Sequence, residues 1–249
     1  MILTSKNNPL IKETAALKDK KGRREQGLFL VEGAKMASEC VKSGMEIERA
    51  ILSESYRGDC LFDTAVRVSD EVFRFLSDEK SPQGILCAVK LPKDALRPPK
   101  NSCLLLDGVS DPGNMGAIIR TANAAGYKEI YLVECTDPYS PKSVRASMSG
   151  IFFTKLYTGT REEVLSALSG TPIVAADMEG ENIFSFTPPE KYALAIGNEA
   201  NGLSEKVFQS AEYTLRIPME ESQESLNAGI AAGIAMYILK KDQFINSNR

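Results

Sequence analysis

Leu104-Leu105-Leu106-Asp107-Gly108-Val109-Ser110-Asp111-Pro112-Gly113-Asn114-Met115-Gly116-Ala117-Ile118-Ile119-Arg120-Thr121-Ala122 runs from an apolar strand through a turn into a helix that carries one arginine. Residues 103–106 read as a buried strand, Asp111-Pro112-Gly113 as a turn, and Asn114 as the N-cap of a helix. In that helix Met115, Ile118, Ile119 and Ala122 recur at helical spacing and set the buried face. Gly116, Arg120 and Asn123 then share the opposite face. Free N–H groups at a helix start, with a cation further along, suit an anion such as a phosphate. A plain strand, turn and helix with a solvated arginine accounts for the same residues.

Around this stretch, 249 residues with 43% apolar and 25% charged side chains suffice for one large or two smaller globular domains. No apolar run approaches the roughly 20 residues of a membrane span. Residues 1–6 lack the apolar core of a secretory signal, so the expectation is a cytoplasmic protein without membrane contact. Cys40, Cys60, Cys87, Cys103 and Cys135 are widely spaced and odd in number, which argues for small core residues rather than disulfides or a metal site.

The chain has no histidine. That excludes a Ser-His-Asp triad, a Cys-His dyad and a histidine-held metal, and no metal is expected. Acid-base chemistry is left to carboxylates, Lys, Tyr, Cys, an unusual arginine or the substrate. The glycine fingerprints of dinucleotide and P-loop sites are missing too, which sets aside an ordinary nicotinamide-dependent enzyme.

Residues 90–101 interrupt the periodic pattern with prolines and cations and read as an interdomain linker. The expected organisation is a small α/β domain over residues 1–98 and a second α/β domain over 99–249. Six strands alternating with helices in the second argue for a mostly parallel sheet covered on both faces. Charge is uneven: residues 1–98 hold 17 Lys and Arg against 15 Asp and Glu, the remainder 13 against 18. Within the first 24, Lys6, Lys12, Lys18, Lys20, Lys21, Arg23 and Arg24 form a basic arm that could contact a phosphate backbone or simply be solvated.

Two later segments carry further signals. Ala195-Ile196-Gly197-Asn198-Glu199-Ala200-Asn201-Gly202-Leu203 ends an apolar strand in a glycine-flanked loop with one carboxylate. Leu215-Arg216-Ile217-Pro218-Met219 leads through Ser225-Leu226-Asn227 into a helix rich in glycine and alanine, suited to close helix packing.

In this order and spacing, Asp111–Gly116 with Arg120-Thr121-Ala122, Gly197-Asn198-Glu199 with Gly202, and Ile217-Pro218-Met219 with Ser225-Leu226-Asn227 resemble the motifs of the SpoU (TrmH-like) branch of the SPOUT methyltransferases. Phe29-Leu30-Val31-Glu32-Gly33 and Ser81-Pro82-Gln83-Gly84-Ile85 look like the L30e-like substrate-binding domain that often precedes that catalytic domain. The resemblance implies S-adenosylmethionine as cofactor and methylation of a ribose 2′-hydroxyl in structured RNA, ribosomal ahead of transfer RNA. It also implies a homodimer and a trefoil-knotted catalytic domain, a rare exception to unknotted folds.

By the same resemblance Asn114 and Arg120 match a catalytic pair, Glu199 the acidic residue of the second motif, and Ser225 and Asn227 the polar pair of the third. Gly197, Asn198, Gly202, Ile217 and Leu226 match the loops that hold the cofactor. Methyl transfer to a weakly acidic hydroxyl needs alignment and removal of a proton. An ordinary arginine is a poor base, with a pKa above about 12, so Arg120 is expected to position substrate, with a share in deprotonation left open. Lys142 and Arg145, on a helix begun by Pro141, are candidate phosphate contacts or a solvated face. A non-enzymatic RNA-binding protein of the same fold, or a base-methylating relative, are the alternatives.

Overall fold

The computed structural model describes residues 2–59, 62 and 64–246. In chain order they form β1 (Ile2–Leu3), α1 (Pro9–Ala16), α2 (Lys20–Gln26), β2 (Leu28–Glu32), α3 (Ala34–Lys42), β3 (Ile47–Ser53), β4 (Ala65–Val68), α4 (Asp70–Leu76) and β5 (Ile85–Lys90). There follow β6 (Cys103–Asp107), α5 (Pro112–Ala124), β7 (Glu129–Val133), α6 (Pro141–Ser147) and a 3-10 turn over Met148–Phe152. The rest is β8 (Lys155–Thr158), α7 (Arg161–Ala167), β9 (Ile173–Asn182), β10 (Ala193–Ile196), α8 (Glu205–Gln209), β11 (Tyr213–Arg216), α9 (Ala228–Leu239) and α10 (Lys241–Asn246). By contacts the chain divides into two compact units: residues up to Lys93 with Asp137–Phe152, and Asp94–Thr136 with the residues from Phe153 onward.

The first unit holds a sheet of order β1-β4-β3-β5-β2, parallel across β1, β4 and β3 and antiparallel across β3, β5 and β2. Ile11, Leu17, Leu30, Ile51, Phe73 and Leu76 are among its buried core residues. The basic arm is folded into α1, α2 and the turns that precede them. A Cβ at Gly22 would lie 2.0 Å from the Ala16 carbonyl oxygen, so only glycine lets α2 start against the end of α1. Arg23 is buried and donates to Leu17 O, Lys18 O and Asp137 Oδ2 at 2.9, 2.7 and 2.6 Å. Lys6 pairs with Glu71, and Lys18 donates to the carbonyls of Phe75 and Ser77. These three cations of the arm hold the fold.

A boundary at residue 98 puts residues 137–152 with the second unit, whereas the structure packs them in the first. The cause is apolar: α6 lies on β2 and the 3-10 turn on α3, with Val144, Ile151 and Phe152 buried. Ser140 caps α6 by accepting the Ser143 N–H, with Pro141 as first helical residue. Arg145 is engaged by Asp78 at 3.3 Å and Glu79 at 3.1 Å, a structural duty in place of a free phosphate contact.

In the second unit the sheet order is β11-β9-β10-β6-β7-β8, and every pairing is parallel. Cys103, Leu105, Tyr131, Val133, Ala193 and Ala195 point to one side and pack with Val164 and Leu168 of the α7 region and Val207 of α8. Leu104, Leu106, Ile130, Leu132, Leu194 and Ile196 alternate with them and are equally buried, which is why these strands read as continuous apolar runs. The second half of the linker belongs to this unit: Leu96 packs on that core, and Arg97 pairs with the buried Glu129 at 2.6 Å.

Cys40, Cys87 and Cys103 are buried, and burial pushes each thiol up to about 12, so they are inert core residues. Cys135 is half-buried and donates to Leu106 O at 3.2 Å. Cys60 lies outside the described residues. Among the described residues no helix is long and apolar enough to cross a membrane, and no group of three or more His, Cys, Asp or Glu is placed to hold a metal ion.

Candidate active site

The helix of the opening stretch starts earlier than Asn114. Asp111 is the N-cap of α5, its Oδ1 accepting the Asn114 N–H at 2.9 Å, and Pro112 is the first helical residue. Proline with φ preset and an N–H it lacks anyway favours that start over a separate turn. With Asp111 as the cap, the Asn114 side chain is free of capping duty. Met115, Ile118, Ile119 and Ala122 are fully buried as expected, and Arg120 is exposed. Gly116 is buried rather than on an open face, since α9 covers α5 on a second side. Small residues allow that approach: a Cβ at Gly229 would lie 3.5 Å from Ala117 Cβ, and one at Gly233 3.5 Å from Thr121 Cγ2.

Glu199, just past β10, accepts four hydrogen bonds. Its Oε2 takes Ser110 N–H at 3.1 Å and Ser110 Oγ at 2.8 Å; its Oε1 takes Asp111 N–H at 3.2 Å and Asn114 Nδ2 at 2.9 Å. Asn114 Oδ1 in turn accepts Asn227 Nδ2 at 2.9 Å. Asn227 Oδ1 accepts the N–H groups of Gly229 and Ile230 at 3.0 and 3.2 Å, which makes it the N-cap of α9. The direction of the chain is fixed at both ends, by an ionised acceptor and by two backbone donors, so neither amide can be flipped without losing a bond. Partial burial pushes the Glu199 carboxyl up, but the bonds from Asn114 and Ser110 outweigh it and hold the group down at about 2.

The residues expected at the cofactor loops form a second feature of the same unit. Asn198 exchanges both backbone hydrogen bonds with Gly202, at 2.8 and 3.0 Å. Its Nδ2 donates to Gly108 O at 2.8 Å and its Oδ1 accepts from Ala200 and Asn201, so the side chain shapes the loop. A Cβ at Gly197 would stand 2.2 Å from the Gly202 carbonyl carbon, and Gly202 has φ +68°, so both positions require glycine. Ile217 and Leu226 are half-buried, and with Met219 they carry backbone N–H groups without a hydrogen-bond partner among the described residues. Unpaired backbone groups beside apolar side chains suit the edge and face of an adenine ring, so the residues fit S-adenosylmethionine. Arg120 and the Ser225 hydroxyl stay outside the Glu199–Asn114–Asn227 chain and bond to no described residue.

Residues 101–237 match the SpoU rRNA Methylase family, and residues 8–87 match an MRM3-like substrate binding domain. The chain belongs to the SpoU rRNA methylase family. The 23S rRNA (guanosine(2553)-2'-O)-methyltransferase RlmP of Bacillus subtilis is 27% identical to this SpoU chain over 245 residues, covering 96% of it and 98% of RlmP. A 23S rRNA (uridine(2479)-2'-O)-methyltransferase of Streptomyces viridochromogenes is 30% identical, covering 94% and 90%. Among solved structures, the AdoMet-bound rRNA methyltransferase from Sinorhizobium meliloti is similar with a TM-score of 0.87 and 29% identity, over 97% of this chain and 98% of that one. The SpoU methyltransferase AviRb from Streptomyces viridochromogenes, in complex with AdoMet, gives a TM-score of 0.85 at 27% identity, over 96% and 99%.

Within this SpoU chain, Ser110 is the residue that sequence reading passes over, although it makes two of the four bonds to Glu199. Its only signal is its place beside Asp111. Asn227 has two separable duties. Asn227→Ala is expected to lose the α9 cap, about 1 kcal/mol of stability, together with its bond to Asn114. Asn227→Asp keeps an N-cap acceptor but sets a carboxylate oxygen against Asn114 Oδ1, so the helix cap survives with at most about 1 kcal/mol lost in denaturant melts, while methyl transfer falls about tenfold or more.

Proposed function

We propose that this chain methylates a ribose 2′-hydroxyl of ribosomal RNA, using S-adenosylmethionine. One observation carries the assignment of the site: Glu199, Asn114 and Asn227, from three separate family segments, meet in one hydrogen-bonded chain. When bound, S-adenosylmethionine supplies an electrophilic methyl group on a sulfonium. Gly197, Gly202, Ile217 and Leu226 would hold it, with Asn198 keeping the first loop in shape.

Arg120 binds the RNA phosphate or the hydroxyl that is to react, and its planar fork of donors fixes the direction of approach. Asn114 and Asn227 are held in one orientation and present fixed polar groups to the ribose. Glu199 acts through them as a positioning residue. With its carboxyl held at about 2, it is an acceptor for fixed donors and not a proton carrier near neutrality. The Ser225 hydroxyl, exposed and bonded to no described residue, is available to the substrate.

The second unit works as a homodimer. The support is an apolar surface on α9 and α10, where Ile230, Tyr237, Phe244 and Ile245 are exposed and Tyr237 stacks on Phe244 at 5.1 Å. The packing of α9 back onto α5 fits a knotted C-terminal segment, and a ribosomal RNA substrate fits a cytoplasmic location. The test is mass-spectrometric mapping of 2′-O-methylation in ribosomal RNA from cells with and without this protein. A ribose methyl that disappears on deletion and returns with the wild-type chain, but not with Arg120→Ala, is expected. An unchanged map, or loss of a base methyl instead, overturns the reading.

A further inference from the structure

The geometry points to a second binding site, in the first unit: a cavity that takes one unstacked nucleotide of the RNA, its base against Tyr56 and its phosphate on Arg57 and Arg74. The inference rests on the methyltransferase reading above and deepens it by naming where the substrate is held away from the reacting hydroxyl. The cavity has a volume of about 380 Å³ and lies at the end of β3, lined there by Ser53, Ser55, Tyr56 and Arg57. Opposite them stand Asp70 and Arg74 of α4 and the segment Pro82-Gln83-Gly84. That volume lies at the low end of small-ligand pockets, about 300–1,000 Å³. The site falls inside residues 8–87, the part that matches a substrate binding domain.

Two glycines keep the wall around the tyrosine low. A Cβ at Gly58 would lie 2.4 Å from Tyr56 Oη, and one at Gly84, where φ is +84°, 2.6 Å from Ser53 Oγ and 3.4 Å from Tyr56 Cβ. The Tyr56 hydroxyl donates to Asp59 O at 3.2 Å, which fixes the ring. Arg57 Nη1 donates to the carbonyls of Glu54 and Tyr56 at 2.8 and 3.1 Å, which places its guanidinium at the rim. Arg74 is exposed, makes no hydrogen bond to a described residue, and lies in the field of Asp70 and Glu71 one turn before it.

Polar edge groups face the same space. Gln83 Oε1 accepts the Ala34 N–H at 3.0 Å, so its amide nitrogen is turned into the role of donor. Asp70 Oδ1 accepts Ser55 N–H and Oγ, at 3.3 and 2.8 Å, and Ser53 also bonds to this carboxylate, which lines the cavity as the acceptor for a base edge. Arg57 and Arg74 supply two guanidiniums for a phosphate, and the carboxylates of Asp70, Glu54 and Glu71 alongside them argue against a bare anion and for a ligand that also brings hydrogen-bond donors. An aromatic platform, a donor and an acceptor for a base edge, and two cations for a phosphate make up the chemistry of single-stranded RNA recognition.

The test uses the full chain with its cofactor and a transcript of large-subunit ribosomal RNA carrying 4-thiouridine. Arg57→Ala/Arg74→Ala should weaken binding of the transcript by about tenfold or more and lower the salt slope by about 1.4, at about 0.7 per phosphate contact. S-adenosylmethionine affinity should not change. Photocrosslinked peptides should include Tyr56. Should the double variant fail to fold, Arg74→Glu at an exposed helical position gives the same readout. Unchanged affinity and slope in a variant series whose parent still methylates the transcript overturns the nucleotide site alone. A parent that neither binds nor methylates it overturns the enzyme reading and this one together.

Discussion

Arg120→Ala is expected to lower methyl transfer by about 10²-fold or more, the scale of a positioned group acting in proton transfer, while the fold and cofactor affinity stay as they are. Arg120 is exposed on α5 and bonds to no described residue, so its removal breaks no bond among the described residues. Alanine is also the better helix former by a few tenths of a kcal/mol. A fall in stability would therefore point to a structural duty that the geometry does not contain. Arg120→Lys should recover little, since a point charge does not reproduce the bidentate fork. Single-turnover kinetics with saturating RNA separate positioning of the reacting group from simple loss of affinity. Turnover within a few-fold of the parent would defeat the assignment of Arg120.

Glu199→Gln is expected to cost about 10²-fold in turnover, twice the effect in free energy of one lost hydrogen bond at about 1.4 kcal/mol per tenfold, and to loosen the N-terminus of α5. Four donors converge on the carboxylate. An amide of the same shape has one oxygen, so its own NH2 must face some of those donors and leave them unpaired. Asn114 then loses its fixed partner, and Asn227 loses the orientation of Asn114. The pH dependence has a definite sign. The folded carboxyl, at about 2, lies below its ordinary range. Its contribution is complete above about pH 4.5 and is lost as pH falls toward 2. Acid inactivation of the wild type between pH 5 and 7 would need another group, and a carboxyl titration by NMR that placed Glu199 near its ordinary value would contradict the network.

Much of the second unit was readable because parallel strands buried on both faces leave long apolar runs, as in residues 103–106 and 129–133. The start of α5 was not. Asp-Pro-Gly serves a turn and a helix start equally well, and only the Asp111–Asn114 bond decides. The last part of the basic arm, Lys20 to Arg24, reads as a phosphate contact or a solvated segment, yet it lies in α2, where Gly22 meets Ala16 and Arg23 finds two carbonyls and Asp137. β9 runs on from its apolar start at residues 173–176 to Asn182. The extension includes a register shift against β11 and a close approach of Gly180 to Thr214, which the mostly acidic and polar residues 177–182 do not advertise. Of the candidate site, Glu199, Asn114 and Asn227 could be named from the family motifs. That they touch one another follows from how β6, β10 and α9 are brought together, information held in long-range packing and not in any local pattern.

The return of Asp137–Phe152 to the first unit gives the polypeptide three crossings between its two units where a simple tandem arrangement would have one. The substrate-binding unit is therefore not an interchangeable cassette. An enzyme made to read a different RNA by swapping residues up to Lys93 would carry the old α6 against a new β2, with Val144, Ile151 and Arg145 facing partners they did not evolve with. Exchange of specificity between such enzymes has to move both segments together, and recombination within the gene would rarely do so.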